Sequence, residues 1–279
     1  MQLIELLKAI FLGVVEGITE WLPISSTGHM ILVDEFMKLD VSPEFMKMFL
    51  VVIQLGAILA VVVLYFKKLF PLQFKRGEPV IKRETLSLWG KILVASIPAG
   101  VIGLLFDDFI DEKLSNPAVV SITLILYGIL FIWVENRNRG HRPLVNQLSA
   151  LNYRTAFIIG IFQMLALIPG TSRSGATIVG AMLIGVSRTV SAEFTFFLAV
   201  PAMFGASALR MIKFGFDYTP AELSILLAGC ITAFIVSILA IKFLMGYIKK
   251  HDFKVFGWYR IALGVVVIGY FAIKSLIGA

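Results

Sequence analysis

Glu16-Gly17-Ile18-Thr19-Glu20-Trp21-Leu22-Pro23-Ile24-Ser25-Ser26-Thr27-Gly28-His29 sets two carboxylates in an apolar helix, ends that helix with a proline, and follows it with a hydroxyl-rich loop. Proline ends the helix because it lacks an N–H and clashes with the preceding turn. The apolar stretch 29–39 that follows reaches only roughly 16 Å as a helix, too short to cross a bilayer. Residues 2–22 and 29–39 therefore read as two helices of a hairpin with an irregular tip, a re-entrant element. Irregular backbone at membrane depth is tolerated only where it lines a protein-walled or watery cavity. A second stretch, Gln163-Met164-Leu165-Ala166-Leu167-Ile168-Pro169-Gly170-Thr171-Ser172-Arg173-Ser174-Gly175-Ala176-Thr177, has the same layout with an arginine and no acid.

Outward from these stretches the chain is apolar throughout. Of its 279 residues 58% are hydrophobic, and its mean hydropathy is +0.90. Soluble domains carry about 45–50% apolar residues. Full spans are expected at 44–66, 91–106, 117–134, 191–211, 221–246 and 257–277, with the second hairpin at 155–187. The expected fold class is an all-α polytopic membrane protein, one domain over residues 1–279, with two re-entrant hairpins and about six full crossings. Met1-Gln2-Leu3-Ile4-Glu5 lacks the basic start of a cleaved signal, so the N-terminus is expected to be retained. Cys230 is alone and supports neither a disulfide nor a thiolate metal site.

The formal charge of +7 comes from basic residues scattered over several loops. That pattern fits the positive-inside rule and lacks the basic-aromatic interleaving of a single-strand binder, so nucleic acid is not an expected partner. The basic loops are 67–91 (Lys67, Lys68, Lys75, Arg76, Lys82, Arg83, Lys91), the one after 134 (Arg137, Arg139, Arg142, Arg154) and the one after 246 (Lys249, Lys250, Lys254). Asp107-Asp108-Phe109-Ile110-Asp111-Glu112 is expected as an acidic loop on the opposite side. With basic loops cytoplasmic, both hairpins must return to the side they entered, the first from outside, and both termini lie outside.

The two halves resemble one another. Gly13, Glu16 and Ser25-Ser26-Thr27-Gly28 recur as Gly160, Gln163 and Ser172-Arg173-Ser174-Gly175 at an offset of 147. Ser42-Pro43-Glu44-Phe45 with Gly56 recurs as Ser191-Ala192-Glu193-Phe194 with Gly205 at an offset of 149. Three spans separate the hairpins, so the repeats, approximately 1–110 and 154–246, are expected to be inverted, with 117–134 connecting them and 257–277 last. Inverted repeats with broken helices bring their irregular loops together, so loops 23–29 and 169–175 are expected to face each other.

Glu16 and Glu20 stand four apart, on one helical face. A single acid there could simply snorkel to an interface, but intramembrane acids in pairs are costly and mark function. As hard oxygen ligands they suit Mg²⁺ or Ca²⁺ better than zinc. Ser25, Ser26, Thr27, Ser172 and Ser174 precede short helices, where hydroxyls serve as N-caps. The same helix N-termini favour an anion, and Gly28, Gly170 and Gly175 allow close approach of the backbone. Arg173, alone in its hairpin tip, could pair with Glu16 or Glu20, or grip a phosphate bidentately. His29, beside the acids, has the titration range of an acid–base group or a nucleophile. Gln54, Glu44 and Glu193 are weaker candidates, the two acids reading as helix-start residues.

At these residues the chain resembles the undecaprenyl-diphosphate phosphatase family, also called bacitracin-resistance proteins. The family's acidic motif matches Glu16-Gly17-Ile18-Thr19-Glu20 and continues through Leu22-Pro23-Ile24-Ser25-Ser26-Thr27-Gly28-His29. Its second motif matches Pro169 through Thr177, and Trp21, where phenylalanine is expected, is the one departure noticed. The resemblance implies removal of the terminal phosphate of undecaprenyl diphosphate at the bacterial cell membrane, for peptidoglycan synthesis and bacitracin resistance, with a divalent cation. It implies that Glu16 and Glu20 hold the metal or tune the acid–base group. Arg173 would clamp the phosphates, with Ser172, Ser174, Thr177, Ser25 and Thr27 as supporting donors. Ser26 is the chosen nucleophile with His29 as its base, while attack by His29 or by water stays open. A polyprenyl tail could lie between helices, and the site is expected to open to the outer face. The sequence leaves a homodimer open, and the rival reading is an inverted-repeat transporter or flippase for a phosphorylated polyprenyl lipid.

Overall fold

The structure is a computed structural model describing residues 2–73, 79–215 and 217–277. In chain order its helices are α1 (Gln2–Thr19), α2 (Ser26–Phe36), α3 (Pro43–Leu64), α4 (Phe66–Leu69), α5 (Arg83–Leu114), α6 (Pro117–Asn138), α7 (Tyr153–Met164), α8 (Arg173–Leu183), α9 (Arg188–Phe214), α10 (Pro220–Tyr247) and α11 (Lys254–Ile277). Among the described residues the only extended pairing is two isolated bridges, Leu72 with Ile81 and Val145 with Val186. Six of the helices, α3, α5, α6, α9, α10 and α11, are long and apolar enough to cross a membrane. The chain is an all-α polytopic membrane protein.

Local sequence fixes several helix starts by one device. Ser42, Asn116 and Thr219 each cap a helix through the side chain, and each is followed by a proline at the first helical position. There proline's missing N–H costs nothing and its fixed φ suits the helix. Thr219 adds a capping box with Glu222.

Helix ends lie elsewhere than hydropathy suggests. The second span is part of a 32-residue helix that runs from Arg83 through the acidic run to Leu114. The expected acidic loop 107–112 is therefore helix, because nothing breaks the backbone before Ser115-Asn116-Pro117; Pro98 is accommodated inside. Hydropathy marks where side chains leave hydrocarbon, whereas helices end at caps. The expected basic loop 67–91 is likewise mostly helical at its two ends, and its Lys75 and Arg76 lie outside the described residues. Glu193 is not a helix-start residue: α9 begins at Arg188, and Glu193 forms an ion pair with Lys68.

Helix contacts are reciprocal between the halves. The first hairpin packs α1 on α10, the second packs α7 on α5, and α3 meets α9. The helices read as a connecting and a final span, α6 and α11, pack on each other. Two glycines at matching sequence positions make the close crossings. A Cβ at Gly13 would lie 2.6 Å from the Gly229 carbonyl of α10, and one at Gly160 would collide with Ala95 of α5. Small residues are how membrane helices approach closely. Trp21, fully buried, meets Phe196 edge to face at 5.3 Å and anchors the first hairpin tip in the core.

Candidate functional site

Each hairpin ends its first arm early and starts its second with a serine cap. α1 stops at Thr19, three residues before the expected end, although Glu20 N–H still reaches the Glu16 carbonyl at 3.0 Å. Glu20 thus sits in the turn rather than in the helix. Ser25 caps α2 by accepting from Gly28 N–H (3.3 Å), and Ser172 caps α8 by accepting from Gly175 N–H (3.2 Å). Both serines hold left-handed backbone, φ 73° and φ 69°, the only non-glycine residues to do so among those described. Such a conformation costs on the order of 1–3 kcal/mol and persists only where the surroundings impose it.

The two loops meet. Ser26, the first residue of α2, donates from Oγ to Glu20 Oε2 at 2.9 Å. Arg173, the first residue of α8, donates from one terminal nitrogen to Glu20 Oε1 at 3.2 Å and from the other to the Thr195 carbonyl at 2.8 Å. Ser174 Oγ donates to the Glu20 carbonyl (3.2 Å) and lies 3.1 Å from Ser172 Oγ. Thr177 Oγ1 donates to the Arg173 carbonyl and lies 2.8 Å from Thr195 Oγ1. Thr27 is exposed and takes no part in this network.

His29 goes elsewhere. Its Nδ1 lies 2.7 Å from the Ser25 carbonyl and its Nε2 2.7 Å from Tyr259 Oη. Both ring nitrogens are engaged, so the expected Ser26–His29 pair is not formed. The group positioned to take the Ser26 proton is Glu20.

Glu16 is buried, and its carboxyl group interacts with Glu20 and Arg173. Its Oε1 has no hydrogen-bond partner, and neither have Trp21 Nε1, Gln163 Oε1, Thr171 Oγ1 and Arg173 Nε. All five atoms belong to the two hairpins. Among the described residues no three His, Cys, Asp or Glu side chains gather as a metal cluster. Mg²⁺, however, commonly takes one or two carboxylates and completes its shell with substrate phosphates and water. The unpartnered Glu16 Oε1 beside Glu20 fits that chemistry.

Three residues outside both motifs complete the site. Arg260 of α11 is fully buried and donates to the carbonyls of Pro23 (3.3 Å), Gly170 (2.9 Å) and Thr171 (2.9 Å), so one guanidinium ties both loops. It also reaches the carbonyls of Leu124 and Thr123, and lies 5.5 Å over the Tyr127 ring. The glycines expected to admit a ligand instead admit protein: Gly170 (φ 86°) lies against Val120 and Thr123, and Gly175 lies beside Arg260. Thr195 and Tyr259 are the other two. An arginine alone within an apolar span was the available signal for Arg260; Thr195 and Tyr259 gave none.

The family model of the bacitracin resistance protein BacA matches residues 9–266. The "Undecaprenyl-diphosphatase" of Desulfitobacterium hafniense is 66% identical over 279 residues, covering all of both chains. Those of Lachnoclostridium phytofermentans (65% over 271 residues, 97% of this chain and 98% of the relative) and Enterococcus faecalis (62% over 269 residues, 96% and 98%) are similar along the same length. Both motifs and the α11 arginine fall inside the matched region, and the chain belongs to the bacitracin resistance protein BacA family.

Proposed function

We propose that this chain hydrolyses undecaprenyl diphosphate to undecaprenyl phosphate and inorganic phosphate. That activity recycles the lipid carrier for peptidoglycan synthesis and gives bacitracin resistance. The observation that carries the reading is Glu20, whose two carboxylate oxygens accept from Ser26 and from Arg173. One carboxylate thereby holds a hydroxyl nucleophile and a phosphate-binding cation together at the N-termini of two helices, where dipoles favour an anion.

In the proposed reaction Ser26 Oγ attacks the terminal phosphorus and its proton passes to Glu20 Oε2. The anhydride P–O bond breaks, and undecaprenyl phosphate leaves with the electron pair on its oxygen, to which Glu20 hands the proton. Water then attacks the phosphoserine phosphorus as its proton passes to the freed Glu20, the P–Oγ bond breaks, and Glu20 returns that proton to Ser26 Oγ as inorganic phosphate leaves. Arg173 binds the phosphoryl oxygens as their charge rearranges, the kind of fixed electrostatic contact that dominates such catalysis. Ser172 and Ser174 hold the α8 turn in place beneath it. A divalent cation held by Glu16 and Glu20 would draw charge from the phosphate oxygens. The first hairpin enters from the side opposite the basic loops, so the reading places the site toward the outer face.

The test is phosphate release from undecaprenyl diphosphate by purified protein with Mg²⁺, with Ca²⁺ and with EDTA, alongside Ser26→Ala and Arg173→Ala. Cation-dependent release lost in both variants is the expected result. Folded wild-type protein that moves intact lipid across vesicles and releases no phosphate would overturn the phosphatase reading.

A further inference from the structure

Glu20, Ser174 and Arg260 each join the tips of the two hairpins, and the reaction treats them differently. The Glu20 carboxylate accepts from Ser26 on one side and from Arg173 on the other. Once it has taken the Ser26 proton it is neutral, and the charge-assisted part of its hold on Arg173 is gone. Ser174 Oγ contributes a single neutral bond, to the Glu20 carbonyl at 3.2 Å. Arg260 works through the main chain alone. Its Nη1 donates to the Pro23 carbonyl, and its Nη2 to those of Gly170 and Thr171. Pro23 lies between Glu20 and Ser26, and Thr171 lies two residues before Arg173, so both held segments lead directly into the groups that address the phosphate. Among the described residues the acceptors of Arg260 are all main-chain carbonyls, which do not titrate. A guanidinium keeps its charge and its planar fork of donors throughout.

We infer that Arg260 is a positioning residue for the reaction: it keeps the Ser26 and Arg173 segments in register during the part of the cycle in which a protonated Glu20 no longer does. The fork is what suits it to this task, because one planar group reaches acceptors on both segments at once. The fully buried setting keeps water from competing for those carbonyls. The catalytic part of this inference rests on the phosphatase reading; the tie between the segments does not.

The experiment uses full-length protein in detergent and two measurements. Hydrogen–deuterium exchange is followed in segments 20–28 and 165–175 of the parent, Glu20→Gln, Arg260→Lys and the double variant. Glu20→Gln stands in for the neutral carboxyl, and Arg260→Lys keeps the charge without the planar fork. Both segments are expected to stay protected in Glu20→Gln and to lose protection together in the double variant, with the spanning helices unchanged. Glu20→Gln alone opening both segments as far as the double variant overturns the inference, and so does a double variant that opens neither. Phosphate release then compares Arg260→Lys with Glu135→Gln, a change on α6 that touches neither segment, at a temperature where both proteins are folded. Arg260→Lys is expected to lower kcat by about 10²-fold, the scale of a 1 Å misplacement, while Glu135→Gln keeps the parent kcat. An unchanged kcat in Arg260→Lys overturns the inference. An equal loss in both variants also overturns it, since that assigns the loss to stability. If the parent protein releases no phosphate, the phosphatase reading fails, and exchange alone decides whether Arg260 holds the two segments.

Discussion

Ser26 and Arg173 open two different helices and bind opposite oxygens of the same carboxylate, that of Glu20. Removing Glu20 therefore disconnects both. Glu20→Gln keeps the shape but presents Ser26 and Arg173 with a neutral amide. It is expected to lower kcat/KM by about 10²–10⁴-fold, the range of a positioned general base. Phosphate release with folding checked by size exclusion reads this directly.

Arg173→Lys is a second test of the same contact. A lysine keeps the charge but cannot reach Glu20 and the Thr195 carbonyl together through a planar fork. Its KM for the diphosphate lipid is expected to rise, with release still measurable where Arg173→Ala has lost it. An unchanged KM in Arg173→Lys together with normal release by Arg173→Ala would remove Arg173 from substrate binding.

Glu16 carries the unpartnered oxygen, so the cation dependence should report on it. Glu16→Gln is expected to raise the Mg²⁺ concentration for half-maximal phosphate release about tenfold, within the 10–100-fold range that altered metal surroundings produce. An unchanged Mg²⁺ requirement would take Glu16 out of the cation site.

Arg260 predicts a stability effect distinct from a catalytic one. Arg260→Met strands the carbonyls of Pro23, Gly170 and Thr171, each buried acceptor costing about 1–3 kcal/mol when left unpaired. The variant is expected to unfold at a lower temperature in detergent and to lose activity with it. Arg260→Lys should fall between Arg260→Met and the parent chain in both measurements.

On α6, Glu135 is buried, paired with Arg188 and accepting from Phe253 N–H at 2.9 Å. Breaking one side of such a buried pair costs about 3–5 kcal/mol. Glu135→Gln should lower the unfolding temperature clearly. Arg188→Met should lower it at least as much, because it leaves the fully buried Glu135 carboxylate without its cation, and the double variant should be less destabilised than the sum of the two single effects.

Much of this was readable beforehand. The proline after Glu16-x-x-x-Glu20 and the matching Pro169 gave both helix breaks, because proline acts on its own turn and needs no partner to be interpreted. Glu20 and Arg173 were identifiable because charge inside an apolar segment is costly. The Glu20–Ser26 bond and the His29–Tyr259 bond were not readable: the first rests on the shape of the turn after α1, the second on where α11 places Tyr259, over two hundred residues away. Arg260 could be noticed as an arginine within an apolar span, but its partners could not, since its acceptors are carbonyls and leave no side-chain pattern. The extent of α5 was misread because hydropathy reports solvent contact and not backbone continuity.

Ser26 and Arg173 lie at equivalent positions of the two repeating sequences, as do Glu16 and Gln163. Two identical half-chains associating as a dimer could not build what surrounds Glu20, since each would bring a serine or each an arginine to that position. The surroundings of Glu20 are thus asymmetric: two loops with the same serine cap and the same positive φ bring a hydroxyl from one side and a guanidinium from the other.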